Sequence, residues 1–473
     1  MACGGDEPVP DTGNETGAAP DATRDGFLDL LPERASITLR LPRLDRIAAE
    51  EMGARGLLDC FGLADSAALF YASAEGTGID RARAAGLVRT TQGAWSHFLP
   101  SADKGQLNGV LRDRAGRQAV REERDYIVVG TAPAGTQSAA TLPAGDFALR
   151  LSYHPLLDEI AQPGDVLELG GTLAAGGCEL AGALRPAEKS PTLDALRRAG
   201  NGWAGHLDLL PAWLPLRFES TMPPTIYATM LARRIGRHAG LPEGELRDNM
   251  ERFLREVATG IDAQRGLAIG VDLKGGKLSM VAVGLIAEGP DSPILTKLRR
   301  ESRTTFGGLV LDARELTGKD KQKGRGGFYA WIPESAPTIE GLPMVAQEML
   351  IPLVDEDRGV PVSYARTEGY GIVAAGPRAD LLVRRVRQFV EAGARMSAGT
   401  LQLRSIRDRG GEAPLVFAAI VAGTRWDALE SADATALRAA LGANADAEPP
   451  KLIVLAGFRE EDRLALHGRI VFQ

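Results

Sequence analysis

The sequence LDLLP occupies residues 28–32 and occurs again, residue for residue, at residues 207–211. Within nine residues, each copy is followed by a short segment in which an arginine stands between apolar residues, Leu39–Leu41 in the first copy and Leu216–Phe218 in the second. Self-similarity of this kind is the sequence signature of a duplicated unit. The repeated pair therefore predicts two related modules in one chain.

Other elements recur in the same order. The stretch YIVVGTAP at residues 126–133 resembles YGIVAAGP at residues 370–377, and each is predicted to be a buried strand that stops at a proline, which cannot donate to a sheet ladder. A hairpin is then predicted in each half, at residues 166–184 and 451–472. Four elements in one order favour a duplication over chance.

The fold class predicted from this pattern is α+β. Residues 243–345 are predicted to be an inserted helix and hairpin block in the second module, with alternating apolar residues at 267–273 before a Gly-Gly turn. Strands joined by hairpins form antiparallel sheets. We therefore expect two duplicated modules of antiparallel sheet, at residues 27–203 and 204–473, with helices packed on one face.

Composition narrows the function classes. The chain of 473 residues has a net charge of −7, which argues against a nucleic-acid partner. Its three cysteines and five histidines are scattered and lack metal-ligand spacing, and no serine-hydrolase or phosphate-loop motif occurs. The sequence therefore predicts no enzyme, no metal site and no cofactor. A disulfide between Cys60 and Cys178 is only one open alternative for two of the cysteines.

Residues 1–26 are rich in Gly, Pro, Asp, Glu, Thr and Ala and are predicted to be a disordered tether. Its opening, Ala2-Cys3-Gly4-Gly5, resembles a processed bacterial lipoprotein, in which the cysteine carries the lipid. The resemblance implies lipidation at Cys3, and an apolar segment encoded upstream of Ala2 is then expected. The alternative is a cytoplasmic protein with a polar tail.

The run KDKQKGRGGFYAW at residues 319–331 places four cations beside three aromatic residues in an acidic chain. It indicates either contact with an anionic partner or an ordinary hairpin loop. The residues of this candidate contact are Lys319, Lys321, Lys323, Arg325, Tyr329 and Trp331.

The repeated Leu-Pro element and the Tyr-x-x-Val strands ending in proline resemble a group of uncharacterised bacterial envelope proteins with tandem strand–helix–hairpin modules. The resemblance covers residues 27–473 and implies a non-catalytic envelope protein, joined to a membrane only through a lipid anchor. Three hypotheses follow: a binding protein for a lipid or other apolar ligand, a scaffold that docks an envelope protein by a sheet edge or the 319–331 loop, and an enzyme with a dispersed site. Glu219 and Asp272 are the candidate carboxylates for the third.

Overall fold

The computed structural model describes residues 26–32, 35–44, 78–115, 119–131, 142–152, 164–174, 176–200, 205–223, 226–227, 266–274, 277–285, 303–306, 309–315, 325–331, 360–367, 369–393, 398–422 and 451–471. The predicted tether and Cys60 lie outside these residues, apart from Gly26. We call residues 27–200 the first half and residues 205–471 the second half.

Strands contribute more residues than helices to both halves. In the first half they are β1 (Ala35–Leu41), β2 (Ala85–Thr90), β3 (Trp95–Pro100), β4 (Val120–Glu123), β5 (Tyr126–Gly130), β6 (Phe147–Ser152), β7 (Val166–Ala174) and β8 (Gly177–Arg185). In the second half they are β9 (Leu216–Ser220), β10 (Leu267–Lys274), β11 (Lys277–Leu285), β12 (Arg303–Phe306), β13 (Leu309–Glu315), β14 (Arg325–Trp331), β15 (Val360–Thr367), β16 (Tyr370–Ala375), β17 (Leu415–Ala422), β18 (Leu452–Glu460) and β19 (Arg463–Val471).

Four helices are described: α1 (Lys104–Ala115), α2 (Pro191–Arg198), α3 (Ala379–Glu391) and α4 (Ala398–Arg409). Helix α2 begins at Pro191, where the Ser190 hydroxyl accepts the backbone N–H of Thr192 and the proline stands in the first turn. The two LDLLP copies form short 3-10 turns, Leu28–Leu30 in the first half and His206–Leu209 in the second.

All nineteen strands belong to one antiparallel sheet. Their order across the sheet is β4, β5, β3, β2, β1, β6, β7, β8, β19, β18, β17, β9, β10, β11, β16, β15, β14, β13, β12. The eight strands of the first half lie in the order β4, β5, β3, β2, β1, β6, β7, β8. Eight strands of the second half lie in the matching order β15, β16, β11, β10, β9, β17, β18, β19, and the chain visits both sets in the same sequence. Strands β12 to β14 extend the second half beyond this repeat.

The two halves meet where β8 pairs with β19. Each is the second strand of a hairpin between nine-residue strands, and eight residue pairs join them. Ala181, the fifth residue of β8, lies opposite His467, the fifth residue of β19. The equivalent residues of the two halves thus face each other, as they would across a two-fold axis.

The predicted fold class is wrong. Strand accounts for 51% and helix for 21% of the structure, and one sheet runs through both halves, so the fold is mainly β rather than α+β with two separate sheets. The hairpin edges that each module would expose pair with each other instead, which removes two open sheet edges.

The hairpin of β10 and β11, assigned from sequence to the inserted block, pairs as β2 and β3 do in the first half. The domain boundaries themselves stay a prediction.

The helices do not all pack on one face. In the first half, Leu107 and Leu111 of α1 pack with Ile127 of β5 in the main core. The neighbouring residue Val128 packs on the 3-10 turn, in a separate small core. Because successive residues of a strand point to opposite faces, α1 and the 3-10 turn cover opposite faces of the sheet. In the second half, α3, α4 and the 3-10 turn share one core.

Candidate functional site

One face of the second half is apolar and incompletely covered. It spans six adjacent strands, β16, β11, β10, β9, β17 and β18, and its residues lie opposite one another in the ladders. We call this surface the open face. Its residues are Val373, Met280, Ala282, Ile269, Val271, Leu216, Phe218, Phe417, Ala419, Val421, Ile453 and Leu455.

The open face carries no charged side chain among these twelve residues. Val373 is exposed, with 37% of its surface accessible, and the other eleven are half-buried. The alternating residues of the same strands, such as Ala268, Ala418 and Ile420, are buried in the second-half core beneath α3 and α4. Alternation along each strand thus separates a packed face from a face on which the described helices do not pack.

The equivalent face of the first half is closed. Val129 and Val373 each stand three residues after the tyrosine that begins β5 or β16, yet Val129 is only 1% exposed. Phe147 and Phe417 each lie opposite a glycine, Gly171 or Gly457, but only Phe147 is fully buried. In the first half Leu44, Leu107 and Leu111 pack on this face. Phe417 and Ile453 of the open face also pack against this main core. The two halves therefore differ in how fully this face is buried.

Aromatic rings lie at one end of the open face. The ring of Phe218 meets that of Tyr227 edge-on at 5.3 Å and that of Phe417 at 6.2 Å, measured between centroids. The Tyr227 hydroxyl donates to Ser220 Oγ at 2.5 Å, and Ser220 donates to the carbonyl of Val416 at 3.1 Å. Burial of the Tyr227 hydroxyl raises its pKa above the ordinary value. The polar atoms at this end are thus paired with one another.

The packed face behind β9 holds a buried carboxylate. Glu219 is fully buried, and its Oε2 accepts the backbone N–H of Leu207 at 2.6 Å, while its Oε1 has no hydrogen-bond partner. Burial raises the Glu219 pKa to about 7, against the opposing effect of the backbone N–H groups of Leu207, His206 and Gly205. The second LDLLP copy is therefore bonded to the sheet through this side chain.

A buried ion pair lies further along the same face. Asp272 is 2% exposed and pairs with Arg378, whose guanidinium lies over the Trp213 ring at 4.9 Å. The Arg378 backbone N–H donates to Ser279 Oγ at 3.0 Å. Counted along the strands from the rows Val129–His97–Leu87 and Val373–Ala282–Ile269, the first-half residue equivalent to Asp272 is the uncharged Thr90. The ion pair thus belongs to the second half alone.

The two candidate carboxylates are not brought together. Glu219 lies opposite Ala268, which is four residues from Asp272 along β10, a separation of roughly 13 Å in an extended strand. Each carboxylate has its own partner, Leu207 or Arg378. Within the described ranges, no group of three or more His, Cys, Asp or Glu side chains could hold a metal ion.

Two other buried side chains have shifted pKa values. Burial lowers the pKa of His97 to about 4 and raises that of the Cys178 thiol to about 12. Cys178 is a free cysteine in β8. A thiol with so high a pKa is protonated at neutral pH and is a poor nucleophile.

The candidate anionic-partner residues are only partly described. Arg325, Tyr329 and Trp331 lie on β14, opposite Ala365, Pro361 and Asp312 of the neighbouring strands. Lys319, Lys321, Lys323 and the candidate lipidation site Cys3 lie outside the described residues. Their proposed roles stay predictions.

Among the described strands, β4 and β12 are the two edges of the sheet. Strand β4 has only four residues, and three of them, Arg121, Glu122 and Glu123, are charged. Short, charged edge strands discourage the addition of another strand. The β4 edge is therefore poorly suited to docking by strand addition.

No helix in the part of the chain that the structure describes is long and apolar enough to cross a bilayer. No protein-family model matches the sequence, and no curated protein matches it. A crystal structure of TP0453 is similar over 56% of this chain and 93% of that chain, with a TM-score of 0.29 and 9% identity. At this degree of likeness we draw nothing from it about fold or function.

Proposed function

We propose that this protein is a non-catalytic binding protein of the bacterial envelope that holds the hydrocarbon part of a lipid or other apolar ligand on the open face. The observation that carries the proposal is the contrast between halves: Val129 is buried under α1, whereas Val373 at the equivalent position is exposed. Covering apolar surface gains roughly 25 cal/mol for each Å² removed from water. A face that is more exposed in one of two related halves is therefore a candidate place for that gain.

The chemistry of the face favours a hydrocarbon over a protein partner. Protein interfaces combine an apolar centre with a polar rim and about one hydrogen bond per 100–200 Å². The twelve residues of the open face offer no charge, and the hydroxyls at its aromatic end are already paired, Tyr227 with Ser220. Recognition there depends on apolar contact, which suits a hydrocarbon chain.

The test measures binding of an apolar fluorophore, N-phenyl-1-naphthylamine, to the full chain. The variant Val373→Asp places a charge on the face at its most exposed position, so the fold should tolerate it. We expect its affinity for the probe to fall at least about fivefold, or about 1 kcal/mol. The matched control is Thr172→Asp, an exposed strand residue of the first half, which should bind the probe as the wild type does. Absence of saturable binding by the wild type, or equal affinities of all three proteins, would refute the proposal.

The envelope location rests on Cys3 and the polar segment after it. Lipid-modified proteins bind membranes through buried chain methylenes, each contributing about 0.8 kcal/mol. When expressed from its native gene, the protein should incorporate a fatty-acid analogue and sediment with membranes, and Cys3→Ser should release it. A wild-type protein found wholly in the soluble fraction would exclude the anchor without affecting the test of the open face.

A further inference from the structure

We propose that one face of strands β12, β13 and β14 binds the surface of an anionic phospholipid bilayer, a contact that involves neither the open face nor the lipid anchor predicted at Cys3. The three strands extend the second half beyond the repeat, and β12 is an edge of the described sheet. We call this surface the basic face. Its residues are Arg303, Arg314, Arg325, Tyr329 and Trp331.

The strand register places these residues on one face. Arg303 lies opposite Asp312, and Asp312 lies opposite Trp331, so the three residues form one row across β12, β13 and β14. Arg314 lies opposite Tyr329, two residues along the same strands. Directly opposite residues and alternate residues of antiparallel strands share a face. The two rows therefore bring two arginines and two aromatic residues to one side of the sheet.

Arg325 identifies which side this is. It shares a face with Tyr329, four residues along β14, and it lies opposite Ala365 of β15, a residue of the second-half core that contains α3. Ala365 in turn lies opposite Ile372, the residue before Val373. The basic face is therefore on the opposite side of the sheet from the open face.

The residue types indicate that the basic face contacts water rather than a core. Arginine is almost never fully buried unless it is paired, and the described parts of the three strands place a single acidic residue, Asp312, on this face. The alternate positions, on the other face, are mostly apolar, as at Leu311, Phe328 and Ala330. Such alternation is typical of an antiparallel sheet with one face in the core and one in water.

The spacing of the arginines favours an extended anionic surface over a single anion. Arg303 and Arg325 are two strands apart and are offset by six residues along β14, a separation of roughly 22 Å. One phosphate or carboxylate cannot bridge that distance, whereas the many headgroups of a bilayer can contact all three arginines. Tyr329 and Trp331 favour a bilayer over a soluble polyanion, because their rings are enriched at the lipid headgroups of membrane proteins.

The experiment measures sedimentation of the full chain with sucrose-loaded vesicles, in a Cys3→Ser background so that no lipid anchor contributes. We expect binding to vesicles of equal parts phosphatidylglycerol and phosphatidylcholine, and loss of this binding in about 1 M salt, where charges are screened beyond about 3 Å. Each arginine near an anionic surface contributes about fivefold to binding. The triple variant Arg303→Gln, Arg314→Gln, Arg325→Gln should therefore bind at least about fiftyfold more weakly.

The matched control is the triple variant Arg112→Gln, Lys189→Gln, Arg198→Gln, which removes three exposed cations from the first half and should bind the vesicles as the parent does. Lysine at the three arginine positions of the basic face keeps the charge and should retain most of the binding, so loss through misfolding is distinguishable from loss of charge.

Equal binding to vesicles of phosphatidylcholine alone, or equal weakening by the control variant, would overturn the proposal. So would loss of binding in the lysine variant as severe as in the glutamine variant. Complete displacement of the vesicles by an equal charge concentration of polyglutamate would show that the face binds any soluble polyanion, and it would overturn the assignment to a bilayer. None of these outcomes affects the test of the open face.

Discussion

At the residue scale, Glu219 makes stability depend on pH near neutrality. Its pKa is ordinarily 4.5 and is raised to about 7 in the folded protein, so the folded state binds a proton that the unfolded state releases between these values. A group of this kind stabilises the fold fully below pH 4.5, and that stability is lost as the pH rises through 7. The free energy of unfolding should fall by about 3 kcal/mol from pH 4.5 to pH 8 through this group.

Glu219→Gln removes the titration while keeping an oxygen for the Leu207 N–H. We expect urea unfolding to show that, between pH 5 and pH 8, the free energy of unfolding of the wild type falls by about 2–3 kcal/mol relative to that of this variant. Asp462→Asn is the control, because Asp462 is exposed and its pKa is lowered by the Arg197 guanidinium. The comparison is with the variant because the lowered pKa of His97 stabilises the fold as the pH rises from 4 to 6.5. The same pH dependence in Glu219→Gln and the wild type contradicts the assignment.

At the element scale, a residue flanking each LDLLP copy, Phe27 or Leu214, packs over a glycine of the second strand in its half. A Cβ on Gly86 would lie 2.0 Å from the Phe27 ring, whereas one on Gly270 would lie 2.4 Å from a terminal methyl of Leu214. A ring cannot yield as a leucine methyl can. Gly86→Ala should therefore lower the free energy of unfolding by about 2–3 kcal/mol and Gly270→Ala by about 1 kcal/mol.

A double-mutant cycle checks the cause. If the contact with Phe27 is responsible, Gly86→Ala should cost little in a Phe27→Ala background, because the ring that it meets is gone. An unchanged cost in that background would mean that the backbone of β2, rather than the ring, resists the substitution.

The elements also show what sequence could and could not predict. The hairpin of β10 and β11 is confirmed, because Ile269 and Val271 alternate with residues of the other face and a Gly-Gly pair separates the strands. The repeated Tyr126 and Tyr370 do begin equivalent strands. The prediction of the fold class was wrong because it depends on the pairing of β8 with β19. These strands are hundreds of residues apart in the sequence, and local periodicity carries no information about such a contact.

The open face escaped sequence analysis for a related reason. Val129 and Val373 look alike in sequence, and only the packing of Leu107 and Leu111 on one of them distinguishes a core residue from a surface residue. The sequence did contain one indication of this face. In β10, Ile269 and Val271 on one side of the strand are apolar, although Ala268 and Gly270 on the other side already face a core. A strand apolar on both faces is expected to be covered on both.

At the scale of the whole molecule, the repeat suggests two folding units, but the main core contains residues of both halves. Leu464, Leu466 and Ile470 of β19 share the main core with Leu180 and Leu184 of β8. Eight residue pairs also join these two strands. Because the same hydrophobic cluster and ladder belong to both halves, neither half can unfold without exposing part of the other's core. One cooperative transition is expected rather than two.

Leu87→Ala tests this, since Leu87 is fully buried on β2 in the first half's part of the main core. Truncation of a buried leucine costs about 2–5 kcal/mol. Hydrogen exchange followed by mass spectrometry should show that slowly exchanging amides of β10, β11 and β16 lose protection by the same free energy as those of β1 and β6, since all report one global unfolding. Val373→Ala, on the open face, should change neither set by more than about 0.5 kcal/mol. If peptides of the second half kept wild-type protection in Leu87→Ala, the halves would unfold independently, and the β8–β19 junction would be a contact between two domains rather than part of one core.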